Sequence, residues 1–307
     1  MRKLFTLILT LTVVLAFSQQ RHGSKKIFPG PGLNPTISLT GLGSAGLTPN
    51  SLVAALVGPG VTYSNVSFTG VQGGTATASA GIFSAGQTIL GFDDGVVLSS
   101  GTAVNSLGPN DFYNTTSENG LGSDPDLAAI FGGPLYDACV LEFDFVPNAD
   151  HMYVQYVFGS EEYNEYVNDL YIDCFAFFLD GQNIAFVPGT TTPVSINSVN
   201  LGVNSAFYHN NELGTGTGHI PGPYDIECDG FTTPFTASAA LTPNVSHHIK
   251  LVIADKYDDL WDSWVFIHGS SFSTTNPNVP TLSEWGLIIL GLTLLAFGTF
   301  YILKLKG

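Results

Sequence analysis

Residues 141–158 read LEFDFVPNADHMYVQYVF. In an extended chain Leu141, Phe143 and Phe145 share one face, and Glu142 and Asp144 take the other. Met152, Val154, Tyr156 and Phe158 repeat that alternation. Pro147-Asn148-Ala149-Asp150, between the two runs, reads as a hairpin loop. Period-two alternation of aromatic and β-branched residues fits a pleated surface buried on one side.

The same texture extends outward in both directions. Further strands are predicted at Val61–Phe68, Gly95–Ser99, Cys174–Leu179, Ile184–Val187, Val194–Val199, Phe235–Leu241, His247–Ala254 and Trp264–Ile267. Asp180-Gly181 is a tight-turn dipeptide between two of them. Helical signals are short: Asn50–Val57, capped by Asn50 or Ser51, and Asp126–Phe131, with Asp124 as cap and Pro125 at the first position. Many short strands with Gly and Pro turns predict an all-β fold, a jelly-roll-like β-sandwich. The absence of a fixed-period repeat excludes a propeller or solenoid. Asn204–Asp229 is Gly-rich and aperiodic, and reads as a long surface loop open to a ligand-binding role.

Of the 307 residues 44% are apolar and only 11% charged, against roughly 25% charged in an average domain. This excludes a highly charged disordered chain and a long coiled coil. The formal net charge is −16. Residues 27–280 contain 24 acids against Lys250 and Lys256 alone. Such a surface repels phosphate backbones, which excludes nucleic acid as a partner, and it attracts cations.

The two ends carry targeting patterns. Residues 1–18, MRKLFTLILTLTVVLAFS, have a basic start at Arg2 and Lys3, an apolar run Leu4–Ala16, and small residues Ala16 and Ser18 before Gln19. That is the pattern of a secretory signal peptide, with an apolar run too short to span a bilayer. Residues 19–47 read as a linker, 48–273 as the folded ectodomain and 274–278 as a second linker. At the other end Trp285–Leu303 is almost wholly apolar. At ~1.5 Å per residue it reaches ~28 Å, which predicts a single transmembrane helix. Trp285 stands where an interfacial aromatic belongs, and Lys304 and Lys306 hold the C-terminus on the cytoplasmic side.

Acidic clusters are the chemistry the sequence offers: Asp93-Asp94; Glu161, Glu162 and Glu165; and Asp255, Asp258, Asp259 and Asp262. Ca²⁺ takes six to eight oxygen ligands. The predicted Ca²⁺ ligands are Asp255, Asp258, Asp259 and Asp262, with Glu161 and Glu162 as a second set. The spacing is not that of an EF-hand, and the competing reading is a solvated acidic surface. Glu161 and Asp255 would make a glycosidase pair if they approached within roughly 5–9 Å. His247 and His248 lie on opposite faces of one strand and do not suit a shared metal. No HExxH, GxSxG or phosphate loop is present. Of Cys139, Cys174 and Cys228, one pair could form a disulfide, in three possible ways. Tyr163 and Tyr166 either present rings to a sugar or pack the sandwich edge.

Two resemblances add to this. Val279-Pro280-Thr281-Leu282-Ser283-Glu284-Trp285-Gly286, followed by the apolar stretch and basic tail, resembles the IPTL-CTERM sorting signal, with Val279 in place of Ile. That family implies an exosortase-type protease that cuts near the motif and transfers the protein to a surface anchor; a permanent membrane anchor is the alternative. In the body an ordered series of motifs runs along the chain. It comprises Gly81-Ile82-Phe83, Gly91-Phe92-Asp93-Asp94-Gly95 with Val96–Gly101, Leu141–Pro147, Tyr156–Val167 around Gly159-Ser160-Glu161-Glu162-Tyr163, Val187–Thr190, Val194–Asn197, Ile253-Ala254-Asp255 and Asp262-Ser263. The series resembles the choice-of-anchor L domain of bacterial surface proteins. Two departures stand out: Ile172 replaces the usual Asn, and Trp264 a usual small residue.

The combined reading is an exported, surface-anchored, non-enzymatic bacterial protein for adhesion or extracellular-matrix binding, calcium-stabilised. Its expected partners are an exosortase-type protease, a glycan or surface-protein ligand, and the membrane through the C-terminal helix. An extracellular polysaccharide hydrolase and a structural biofilm or coat component are the alternatives.

Overall fold

The structure, a computed structural model, describes residues 36–274 and 282–305, the latter with side chains at 286–297. The expected signal peptide, most of the first linker, the second linker beyond residue 274 and Val279–Thr281 lie outside the described residues.

Two antiparallel sheets form a sandwich-like body. The smaller contains β2 (Val61–Thr69), β5 (Leu135–Pro147), β7 (Cys174–Leu179), β8 (Gln182–Asn183) and β12 (His247–Lys256), in the order β2-β5-β12-β7-β8. The larger contains β1 (Ser38–Gly41), β3 (Ala80–Ser84), β4 (Gly95–Ser99), β6 (His151–Ser160), β9 (Tyr208–Asn210), β10 (Gly230–Thr232), β11 (Phe235–Ala240) and β13 (Ser263–His268). Its order is β1-β3-β4-β13-β6-β10-β9, with β11 also pairing β6. β1 lies within the segment expected to be linker, because Ile37 and Leu42 bury on either side of it.

The alternation that predicted the strands also sets the core. Leu141, Phe143 and Phe145 on β5, and Ile249, Leu251 and Ile253 on β12, belong to one buried cluster with Val154, Tyr156 and Phe158 on β6 and Val265 and Ile267 on β13. Each buried side chain of this size contributes roughly 1.5–3 kcal/mol relative to exposure. The 147–150 loop is not the expected hairpin turn. β5 pairs with β2 and β12, while β6 pairs with β10, β11 and β13. The loop therefore carries the chain from one sheet to the other. Asp180-Gly181 does close a two-residue hairpin, Leu179 opposite Gln182, with φ of 47° and 80° as a type I′ turn requires. The predicted strands Ile184–Val187 and Val194–Val199 form only an isolated bridge, Phe186 to Pro193, and turns, apart from a bridge of Ser195 to Cys174.

The outer faces are covered too. Helix α1 (Pro49–Leu56) starts one residue before the predicted helix and is capped at Thr48, whose N–H donates to Ser51 Oγ at 3.1 Å. A four-residue helix, α2 (Gln87–Leu90), precedes β4. Helix α3 (Pro125–Phe131) packs Leu127 with Val140, Ala176, Phe178 and Val252 outside the smaller sheet. Asp124 Oδ1 caps it, accepting from Leu127 N at 2.9 Å, as expected. Lys250 reaches out of β12 to the same carboxylate at 2.9–3.0 Å and also to Asp126. Outside the larger sheet, Val97, Val157, Trp264 and Phe266 pack with Leu107, Ile226 and Phe231.

No disulfide joins the cysteines; all three are buried thiols. Cys139 sits in the inter-sheet core, Cys174 under α3 and Cys228 outside the larger sheet, so the layers of the sandwich keep them apart. The expected membrane span, Trp285–Leu303, falls within helix α4 (Leu282–Leu305). Among the described residues no helix is long and apolar enough to cross a membrane.

Candidate functional site

Register brings the acids together. Ser160, the last residue of β6, pairs with Gly230 of β10 on one side and Ser263 of β13 on the other. The residues just beyond those three are Glu161, Asp229 and Asp262, so three acids emerge side by side at one end of the larger sheet. Asp255 joins them from the end of β12, where the register shifts between Ile253 and Asp255. Glu161, Glu162, Asp173, Glu227, Asp229, Asp255 and Asp262 are all fully buried. That is not a solvated acidic face.

Much of this set serves the irregular segment 101–122, whose backbone N–H groups need acceptors once buried. Asp262 Oδ1 accepts from Ser117 N at 2.9 Å and Oδ2 from Thr102 N at 3.4 Å. Glu161 Oε2 accepts from Thr115 N at 2.9 Å. Glu227 accepts from the Thr115 hydroxyl at 2.6 Å and from Asp111 N at 3.3 Å. Asp137 accepts from Asn119 N and Leu121 N at 2.7 and 2.6 Å. The Ser263 hydroxyl donates to Asp173 Oδ2 at 2.8 Å.

Other buried acid oxygens lack a well-aligned donor: Glu161 Oε1, Asp229 Oδ2, Glu212 Oε2 and both oxygens of Asp255, which only the Ser100 hydroxyl approaches. Burial, then Asp173 and Asp262, drives the Asp255 carboxyl well above the ordinary range. Burial, then Asp229 and Glu227, does the same to Glu161. Asp262 is raised by burial despite its backbone donors, with Asp173 and Asp137 adding to the rise. The two lysines of the ectodomain are engaged elsewhere: Lys250 with Asp124 and Asp126, and Lys256 over the Tyr257 ring at 5.1 Å. A buried carboxylate without a partner charge must take up a proton or a cation.

Of the predicted calcium ligands, the structure gathers Glu161, Asp255 and Asp262. Glu162 is buried beside them, its N–H on Ser160 Oγ at 2.9 Å. Asp258 and Asp259 stay half-buried on the turn after β12, where Asp258 Oδ1 accepts from Leu260 N at 3.4 Å. Asp93 and Asp94 are exposed before the opposite end of β4. His247 and His248 go to separate acids, Asp180 at 2.6 Å and Asp144 at 2.8 Å. Tyr163 is fully buried and donates its hydroxyl to Val199 O at 2.7 Å, so it presents no ring to a sugar. Tyr166 is half-buried against Trp261, ring centroids 4.8 Å apart.

Among the described residues the set of three metal-ligating side chains whose ligand atoms all lie within 4.8 Å of one another is Glu212, His219 and Asp229. No sequence pattern singles these three out. They are spread over the Gly-rich loop, and the available signal was that an aperiodic stretch held Glu212, His219, Glu227 and Asp229 together. Burial, then the neighbouring Glu165 carboxyl, pushes Glu212 up to about 8. Asp229 is driven well above its usual range by burial and then by Glu212.

With this geometry in place, comparison with known families assigns the chain. Residues 42–273 match the Choice-of-anchor L domain, and the chain belongs to that family. Residues 279–299 match the IPTL-CTERM motif. No curated protein and no solved structure matches the chain. The sorting motif marks an exported, cell-surface-anchored protein and implies processing by an exosortase-type enzyme.

Proposed function

We propose that this is a non-enzymatic adhesion or matrix-binding protein, presented at the cell surface by its C-terminal signal. The observation that carries the reading is the union, in one chain, of a surface-protein ectodomain and a sorting motif. The matched sorting motif at 279–299 supports membrane retention before processing.

A half-exposed aromatic ridge supports ligand binding. Trp261 packs edge-on against Tyr113 and Tyr166, Tyr166 against Tyr171, and Tyr171 against Tyr257, which is exposed. Such rings combine apolar faces with hydroxyl tips, which suits the apolar face and hydroxyl rim of a sugar. A non-enzymatic role fits the burial of Glu161 and Asp255, since glycoside hydrolysis needs carboxyls flanking the scissile bond. Calcium stabilisation belongs to the same reading, at Asp255 with Asp173 and Asp262 as neighbours. An oxygen-only set suits Ca²⁺, and neither Asp255 oxygen holds a backbone N–H.

The test is retention on matrix polysaccharide, with reducing-end release measured in parallel. The expected result is binding without turnover, weakened at least tenfold in the double variant Tyr171→Ala, Tyr257→Ala while the thermal midpoint is kept. Release of reducing ends that disappears in Glu161→Gln overturns the non-enzymatic reading. Binding unchanged in the double variant overturns the ridge.

A further inference from the structure

We propose that Glu212, His219 and Asp229 form a mixed nitrogen–oxygen site for a divalent first-row transition cation, separate from the calcium position at Asp255. The inference is independent of adhesion and of calcium.

Three observations carry it. First, the ligand atoms converge within 4.8 Å, and Glu212 and Asp229 are buried. Second, each carboxylate keeps an oxygen, Glu212 Oε2 and Asp229 Oδ2, that no donor reaches. Asn110 brackets the pair in the same state: its amide nitrogen donates to Asp229 Oδ1 at 2.9 Å, and its own Oδ1 meets no donor.

Third, the imidazole is oriented as a ligand. His219 Nε2 lies 3.1 Å from the Asn110 carbonyl oxygen. A carbonyl only accepts, so Nε2 carries the proton of the neutral ring. Nδ1 then presents its lone pair to Glu212 Oε1, 3.3 Å away. A lone pair facing a carboxylate oxygen is repulsive unless something positive lies between them. A metal-binding His commonly donates its other N–H to a backbone carbonyl, which fixes the tautomer and aims the free nitrogen. Glu165, whose Oε2 also lacks a donor, adds a third carboxyl beside Glu212. Acid against acid holds together through a shared proton or a shared cation.

The donor set selects the ion. Imidazole suits the first-row transition metals, whereas Ca²⁺ and Mg²⁺ take oxygen throughout. Two carboxylates and one imidazole leave coordination positions for water or for further oxygens of the pocket. The Gly-rich loop closes around the site through Gly222 N donating to Asn211 O at 2.7 Å and Asn211 N to Asp229 O at 2.8 Å.

The experiment titrates the metal-stripped, detergent-solubilised full chain with Mn²⁺ and follows it by pulsed EPR. One equivalent of Mn²⁺ with nitrogen hyperfine coupling is expected, displaced by stoichiometric Zn²⁺ but not by equal Ca²⁺. The signal should weaken at least tenfold in apparent affinity in His219→Gln and persist in Asp255→Asn. The nitrogen coupling is read on the unaltered protein, so a variant that misfolds does not decide the matter. No tight uptake, Mn²⁺ bound without nitrogen coupling, displacement by equal Ca²⁺, or full binding in folded His219→Gln each overturns the site.

Discussion

Gly101 lies directly beneath the Asp262 carboxylate, so close that a Cβ there would sit 1.8 Å from Oδ2. That contact, and the two backbone N–H groups Asp262 receives, show one use of a buried acid: holding an irregular segment that has no strand partner. Asp255 is the contrast, buried equally but with no backbone N–H on either oxygen. Without divalent cations, Asp262→Asn should lower stability by about 1–3 kcal/mol, because an amide cannot serve both N–H groups. Asp255→Asn should leave the midpoint unchanged or raise it, since it removes a repulsive charge and an amide oxygen can still accept from the Ser100 hydroxyl. Millimolar Ca²⁺ should raise the wild-type midpoint and not that of Asp255→Asn. Thermal unfolding in EDTA and in Ca²⁺ measures all of these; equal losses in the two variants would refute the division of roles. The sequence displayed these acids as a dense run but not their burial. Burial follows from strand register across β10, β6 and β13, and Asp258 and Asp259, inside the same run, fall on the turn instead. Glu212 and His219 were illegible for a related reason: no periodicity connects residues that a loop brings together.

Alternation along β5, β6 and β12 was legible because each strand buries one face against the opposite sheet. Pairing was not, since Pro147–Asp150 has the composition of a turn whether the chain doubles back or crosses. Composition sufficed at Asp180-Gly181, where positive φ at both residues demands it. Here the turn is also tied to β12. Asp180 Oδ2 contacts His247 Nδ1 at 2.6 Å, and Oδ1 accepts from His248 N at 2.9 Å. Burial pulls the Asp180 carboxyl up, but these bonds outweigh it and hold it below the ordinary range. A depressed carboxylate stabilises the fold above its unfolded value, about 3.9, and loses that contribution as pH falls through the folded value. Asp180→Asn keeps a turn-forming residue while removing the charge. At pH 6 it should cost roughly 0.5 kcal/mol, small because Asp180 is half exposed. The difference from wild type should narrow as pH falls below the unfolded value and through the lower folded one. A gap that is constant or widens toward pH 3 would assign the effect to the turn backbone.

At the scale of the molecule the parts answer different questions. The ectodomain carries 24 acids against two lysines over residues 27–280, so its field attracts cations. The C-terminal end decides where that body is displayed. Family membership was legible at this scale because the motifs follow one another in order over most of the chain, and motif order survives without any knowledge of pairing. Helix α4 overlaps the matched motif at 279–299. In cells with an exosortase-type protease, intact mass of the surface protein should show loss of the segment beyond the motif. Replacing Pro280 and Trp285 together by Ala should keep the apolar segment attached, and the protein should move to the membrane fraction. At ~0.8 kcal/mol per buried CH₂, an apolar segment once held in a bilayer would not leave it on its own. Release of such a segment would require a covalent cut. A surface protein that still carries Trp285–Leu303 in the wild type would replace sorting with a permanent anchor, and release of the double variant would place the cut under the control of other residues.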